Sequence, residues 1–278
     1  AELFKEIMGL EIVTPFPRLT YEQAMEDYGS DAPDIRFELK LKDISDIASE
    51  CELRVFNEVV NCVQFGLPQA RRRTVVMASL LGPIDMVAPR QGKPKTVRSA
   101  IGKLKRLEAG EGDARDPLHF CASLSPLNME RMRASRPGGT WRDWPSHLIA
   151  ECHRKPNGKT YPSVYARMSW DEPAPTLTTQ FYGFGNGRYG HPQQDRAISL
   201  REGAILQGFP KNYSFFAKGG SVHLRKLGCL IGNAVPVPLG RAIGRSINAH
   251  LGNTSNKRQT KAEVNWERRR EQPEVLVA

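Results

Sequence analysis

Apolar and polar positions change rhythm along this chain. Residues 1–12 have the spacing of a short amphipathic helix ending near Gly9. Pro15 and Pro17 break the chain before Leu19-Thr20. Thr20 with Gln23 forms a helix N-cap and capping box, predicting a helix through about Tyr28. Gly29-Ser30-Asp31 and Pro33-Asp34 predict a loop, and the alternation in Phe37–Leu41 predicts a half-buried strand. The texture shifts near Val59. Thr74-Val75-Val76-Met77-Ala78 is nearly all apolar, as in a strand covered on both faces. Residues 83–165 have little periodicity and are broken by Pro89, Pro94, Pro117, Pro126, Pro137 and Gly138-Gly139. So long a stretch reads as a functional insertion.

Further on, Thr176-Leu177-Thr178-Thr179 predicts a strand and 183–190 a flexible glycine-rich loop. Leu200–Gln207 predicts a helix stopped by Gly208-Phe209-Pro210. Pro238 can occupy the first turn of a last helix, Leu239 to about Leu251. The tail, 252–278, is polar and densely charged, and is expected to be disordered or a solvated helix.

Charge sharpens the division. Residues 1–58 hold six Lys/Arg against fourteen Asp/Glu, whereas 59–278 hold thirty-four against sixteen. An acidic head on a basic body is unlike one uniform domain, and the basic body suits a polyanion such as nucleic acid. No apolar run of about twenty residues is evident, so no membrane span is expected. Residues 1–5 do not resemble a signal peptide, and the absence of an initiator Met suggests a fragment. Five scattered cysteines argue against a disulfide framework and for a reducing, cytoplasmic setting. His119, Cys121, Cys152 and His153 are conceivable zinc ligands. The Cys-x-x-Cys spacing of such sites is absent, so singleton cysteines are favoured.

Three constellations carry candidate chemistry. Phe65-Gly66-Leu67-Pro68-Gln69-Ala70-Arg71-Arg72-Arg73 leads into the 74–78 strand. Alternate residues face one way, so Gln69, Arg71 and Arg73 can converge on a phosphate, a carboxylate or a base edge, although a solvated or salt-bridged edge is the plainer alternative. Arg167-Met168-Ser169-Trp170-Asp171-Glu172-Pro173-Ala174-Pro175-Thr176-Leu177-Thr178-Thr179 is an extended approach to a strand. Gly232-Asn233-Ala234-Val235-Pro236-Val237-Pro238 reads as a turn opening the last helix, with backbone N–H groups free for a ligand.

In this order and spacing the three resemble the eighth, ninth and tenth motifs of cytosine-5 DNA methyltransferases, from about Val59 to Leu251. The intervening Arg188-Tyr189-Gly190-His191-Pro192 and Gln207-Gly208-Phe209-Pro210 fit as well. The resemblance implies an α/β fold: the C-terminal portion of an S-adenosylmethionine-dependent methyltransferase (59–82 and 166–251) with an irregular target-recognition region at 83–165. It implies that Gln69, Arg71 and Arg73 face a flipped cytosine, Arg73 near O2 and Arg71 near the backbone. It also implies that Asn233, Ala234 and Val235 lie against S-adenosylmethionine. Arg131, Arg133, Arg136 and Arg142 become candidates for reading guanine or gripping phosphate of double-stranded DNA, and Trp141 and Trp144 for stacking, with a core role as the alternative.

The family's Phe-x-Gly-x-Gly cofactor loop near the N-terminus, its Pro-Cys nucleophile and its Glu-Asn-Val segment have no counterpart. Phe184-Gly185-Asn186-Gly187 is the nearest lookalike to the first. No catalytic nucleophile is therefore assigned, and an N-terminal methyltransferase subunit is the expected partner. Residues 1–58, with a small α+β character, resemble something else. Phe16–Met25 and Tyr28–Arg36 are similar to the interior of a bacterial aspartyl-tRNA synthetase, without that family's second- and third-motif elements. The reading is a fusion joined near Arg54–Val59. Its alternatives are an inactive DNA-binding remnant, a fusion artefact, and a synthetase-derived RNA- or partner-binding protein.

Overall fold

The computed structural model describes residues 2–11, 13–29, 33, 35, 40–216 and 220–255. The chain divides into two compact units, Ala1–Leu53 and Arg54–Ala278.

In the first unit, α1 (Glu2–Met8) ends where Gly9 takes a left-handed φ of 64°. α2 (Tyr21–Tyr28) is closed at both ends. Gln23 N–H donates to Thr20 Oγ1 (3.1 Å), Thr20 N–H donates to Gln23 Oε1 (3.0 Å), and left-handed Gly29 returns its N–H to the Met25 carbonyl. α3 (Ser45–Glu50) was not foreseen. It follows an Asp43 carboxylate that accepts the Ser45 N–H; the Ser45 side chain first, and this backbone bond second, hold the Asp43 pKa below its usual value. Ala24 is the one buried hydrophobic residue described in this unit, while Phe4, Ile7, Met8 and Leu10 are exposed. The expected loop over 30–34 and strand over 37–41 lie largely outside the described residues; Lys40 and Leu41, which are described, are not in a strand.

The second unit begins with a strand, β1 (Arg54–Asn61), antiparallel to β3 (Arg72–Ser79). Between them lie a 3-10 turn at Cys62–Phe65, a left-handed Gly66 (φ 90°) and the short β2 (Gln69–Ala70). β3 is not covered on both faces, as its composition suggested. Val75 and Met77 are buried and Val76 is 62% exposed, because a two-stranded sheet packs on one side only. Its other side presents Val55, Val59 and Val76, exposed by 52%, 56% and 62%.

Beyond β3 come α4 (Val97–Ile101), the hairpin β4 (Gly112–Asp113) and β5 (Asp116–Phe120), α5 (Pro126–Ala134) and α6 (Glu151–Arg154). They are followed by β6 (Ala174–Pro175), α7 (Leu200–Leu206), α8 (Leu224–Asn233) and α9 (Val237–Ser255).

Three cores result. The first joins Val97, Ile101, Leu118, Phe181, α7 and Ile231 of α8. The second packs Val60, Cys62, Leu67, Val75, Met77 and Leu239. The third lies largely inside the expected insertion, with Met132, Trp141, Trp144, Leu148 and Phe184. The 83–165 stretch is thus irregular in backbone but not coreless, and both tryptophans are 5% exposed core residues.

Three further expectations are corrected. The strand is Ala174–Pro175, parallel to β2, rather than 176–179. There the main chain turns to side chains, Leu177 N–H to Gln69 Oε1 and Thr178 N–H to Tyr189 Oη. The 183–190 loop holds a 3-10 turn that buries Phe184, so it is a packed element rather than a flexible loop. Gly232-Asn233 closes α8 rather than opening α9, as Ala234 N–H caps back to Ile231. Pro238 does sit in the first turn of α9.

The stretch Leu224–Asn253 is long and apolar enough, by length and composition only, to cross a membrane, with an 18-residue window of mean hydropathy 1.2, whereas no such run is expected from the sequence. It is interrupted at Ala234–Pro236, and its two helices bury Leu227 and Ile231 in the first core and Leu239 in the second.

Candidate functional site

The three sequence motifs meet in one hydrogen-bonded knot. Gln69, fully buried at the start of β2, donates from Nε2 to the Leu206 carbonyl (3.1 Å) and to Gln207 Oε1 (2.9 Å). Its Oε1 accepts the Leu177 N–H at 3.0 Å. Gln207, the C-cap of α7, donates in turn to the Ala234 carbonyl at 2.6 Å. Arg71 reaches the carbonyls of Leu177 (2.9 Å) and Gly232 (3.0 Å). The knot therefore ties β2, the segment after β6, the end of α7 and the α8–α9 turn together. A buried amide that lost its partners here would cost about 1–3 kcal/mol.

This arrangement changes the picture of a free guanidinium face. Gln69 and Arg71 do approach each other (3.5 Å), but their polar atoms are largely spent on main-chain groups. Arg71 Nε is buried without a partner among the described residues. Arg73 stands apart on β3, half-exposed, donating to the Arg72 carbonyl. Burial, then the nearby Arg73, lowers the Arg71 pKa. Burial raises the Cys62 thiol, with Arg73 and Arg71 opposing.

A second buried polar system lies at the other end of α7 from Gln207. Arg196 and Glu202 form a bidentate pair (2.7 and 2.8 Å), both essentially without solvent contact. Burial pushes the Glu202 carboxyl up. The Arg196 bonds and charge, with His191 and the Ser199 N–H, overcome it and hold the pKa at about 2. His191 is pushed down to about 4, chiefly by burial, so it is neutral at pH 7. Its Nδ1 accepts the N–H groups of Gln193 and Gln194. Arg167 donates to the carbonyls of Met132, Ser135, His191 and Gln194 and pairs with Asp195, fastening α5 to the 190s turn.

The target-region arginines divide by surroundings. Arg131 is tied to the Leu148 carbonyl and lies over the Trp144 and Tyr165 rings. Arg133 faces Asp195 at 3.7 Å. Arg136 is exposed and pairs with Asp143 (2.9 Å), and Arg142 lies over Trp141 with one N–H on the Lys159 carbonyl. Asn233 is exposed, Ala234 gives its carbonyl to Gln207, and Val235 is 68% exposed. His119, Cys121 and His153 have separate partners: Ser199 and the Lys105 carbonyl, the Glu108 carbonyl, and the Trp141 ring. No group of three metal-ligating side chains occurs among the described residues.

The C-5 cytosine-specific DNA methylase family matches residues 35–249, which include every residue of the knot. The chain belongs to that family. The match starts ahead of Val59, within the acidic head. Type II methylase M.HgiDII of Herpetosiphon aurantiacus is 49% identical over 199 residues, covering 71% of this chain and 56% of that protein. The chain thus spans about half the length of this methylase relative. An aspartate–tRNA(Asp/Asn) ligase of Natranaerobius thermophilus is 52% identical over 60 residues, covering 22% of this chain and 10% of that protein. Among solved structures, the methyltransferase EhMeth of Entamoeba histolytica is similar with a TM-score of 0.44 and 14% identity, over 75% of this chain and 57% of that one.

The sequence pointed to Gln69 and Arg71 but not to their work as internal ties. It also passed over Arg196 and Glu202. The signal for Glu202 was present, as Ser199-x-x-Glu202 is a capping box at the start of α7.

Proposed function

We propose that this chain is the C-terminal, DNA-recognition portion of a cytosine-5 DNA methyltransferase, acting in the bacterial cytoplasm with a second polypeptide. The observation that carries this is the knot. Residues from three separated family motifs are bonded into one cluster, which holds the three motif segments beside one another. The partner would hold the Pro-Cys nucleophile, which does not occur in this sequence, and the cofactor loop; Phe181-Tyr182-Gly183-Phe184-Gly185 has that loop's spacing, but it lies after β6 and its two phenylalanines are buried in the cores. Its docking surface would be the exposed Val55, Val59 and Val76 face of the β1–β3 pair, apolar surface of a kind that marks interfaces.

S-adenosylmethionine would supply the methyl group that replaces the hydrogen on carbon 5 of the cytosine. The Asn233–Val235 turn fits one wall of its site. It offers an exposed amide and an exposed apolar side chain, while Ala234 is held in place by Gln207. Arg73 is the motif side chain best placed to meet a flipped base, while Gln69 and Arg71 set the backbone around it. Arg136 and Arg142 would exchange their present partners, Asp143 and the Lys159 carbonyl, for phosphate or guanine.

A gel shift comparing duplex DNA with tRNA tests the recognition role, and duplex is expected to be preferred. Preference for tRNA would favour the other reading, a synthetase-derived RNA-binding protein, which rests on the ligase likeness of the short N-terminal stretch.

A further inference from the structure

Many of the described cations in the second unit are spent on carbonyls or carboxylates. Of those that are not, four converge on one place. A groove of about 480 Å³ runs between the segment after β3 and α9, with Arg90 and Lys95 on one wall and Arg241 and Arg245 on the other. All four are exposed, no acidic residue lines the groove, and none of the four has an ion-pair partner among the described residues. Its apolar lining includes Phe65 and Pro238.

The walls are fixed to each other. Arg90 N–H donates to the Gln64 carbonyl (2.8 Å), and the Arg90 side chain lies over left-handed Gly66, where a Cβ would come within 3.3 Å of its Nη1. Val87 N–H donates to Ser246 Oγ of α9 (2.8 Å), which also bonds the Ala242 carbonyl. Arg241 and Arg245 are one helical turn apart on the same face. The groove also adjoins the knot. Gly66 lies three residues before Gln69, and Pro238 packs where a Cβ on Gly208 would approach it to 2.6 Å.

Four exposed like charges around one groove raise the local positive potential, which water and salt screen and which a bound polyanion neutralises directly. A single carboxylate would leave most of the charge uncompensated, whereas a phosphodiester strand presents charges in series. We propose that this groove binds the phosphate backbone of duplex DNA beside the recognition site, a second contact track separate from Arg136 and Arg142. The inference rests on the DNA-recognition reading above and adds to it the path of the flanking backbone.

The test is the salt dependence of duplex binding by the full chain. Each phosphate contact contributes about 0.9 to the slope of log K against log salt. The variant Arg90→Gln, Lys95→Gln, Arg241→Gln, Arg245→Gln should lower the slope by about 3 and weaken binding at least tenfold at about 0.1 M salt. A control replacing the exposed Lys103, Lys211, Arg225 and Lys226 by Gln should leave the slope within about 1 of the parent. Arg90→Lys with Arg241→Lys and Arg245→Lys should keep both charge and slope. Circular dichroism should show parental helix content in all three. An unchanged slope in the groove variant, or an equal drop in the control, overturns the groove while leaving DNA recognition standing. A parent chain that binds no duplex, or that tRNA displaces at tenfold lower concentration than duplex, overturns the DNA-recognition reading and the groove together.

Discussion

Helices α2 and α7 carry the same local device and meet different fates. Each opens with a capping box, Thr20 with Gln23 and Ser199 with Glu202. α2 buries one residue, Ala24, and its box is exposed to water. Every residue of α7 is buried, and the carboxylate that closes its box is also held by Arg196. A capping box fixes where a helix begins. What the helix is worth depends on the face it buries and on whether its polar groups have partners away from water.

The largest expected effect lies at the buried pair. Glu202→Ala strands Arg196 in the core and should cost about 3–5 kcal/mol, seen as loss of cooperative melting of the second unit by calorimetry. Parental melting would show that the pair is idle.

The next effect is acid sensitivity. His191 is held at about 4 against its usual 6.5, so the unfolded chain takes up its proton first as pH falls. Its contribution, about 3 kcal/mol, is complete above pH 6.5 and lost between 6.5 and 4. Glu202, held at about 2 against 4.5, adds stability above pH 4.5 that is lost as pH falls from there toward 2. The melting midpoint should therefore be flat above pH 6.5 and fall below it, and His191→Gln should remove most of the slope between pH 6.5 and 5. A slope kept in that variant would place the titrating group elsewhere.

Gln207→Leu should cost about 1–3 kcal/mol by leaving Gln69 and the Ala234 carbonyl short of a partner, and hydrogen exchange at the α8–α9 turn should quicken. The smallest effect belongs to α2. Thr20→Ala should remove about 1 kcal/mol of helix stability, read as a small loss of ellipticity with no change in melting of the second unit. If melting of the second unit also shifts, the two helices are coupled and the contrast between them fails.

The sequence made the local punctuation legible: Gly9, Gly29, the Thr20 box, Gly208 and Pro238 all sit where helix ends and starts require them. It misjudged β3, because a run of Val and Met does not reveal whether one face or two will be covered. It missed β1, whose residues become a strand only through pairing with β3. It shifted the strand at 174–179, because Leu177 and Thr178 give their N–H groups to side chains distant in sequence. The site was legible as a set of motifs but not as a geometry. Gln69 and Arg71 looked like free recognition groups. In the fold they are main-chain ties, because burial favours pairing amide and guanidinium N–H groups with nearby carbonyls, which all but the Arg71 Nε find.

The proposed division of labour is tested most directly by transfer of a tritiated methyl group to duplex DNA. The assay would combine this chain with a family member's amino-terminal portion carrying the Pro-Cys pair and the cofactor loop. The account predicts incorporation by the mixture and none by either polypeptide alone. Incorporation by this chain alone, or a mixture that binds DNA and stays silent with every such portion tried, would contradict it.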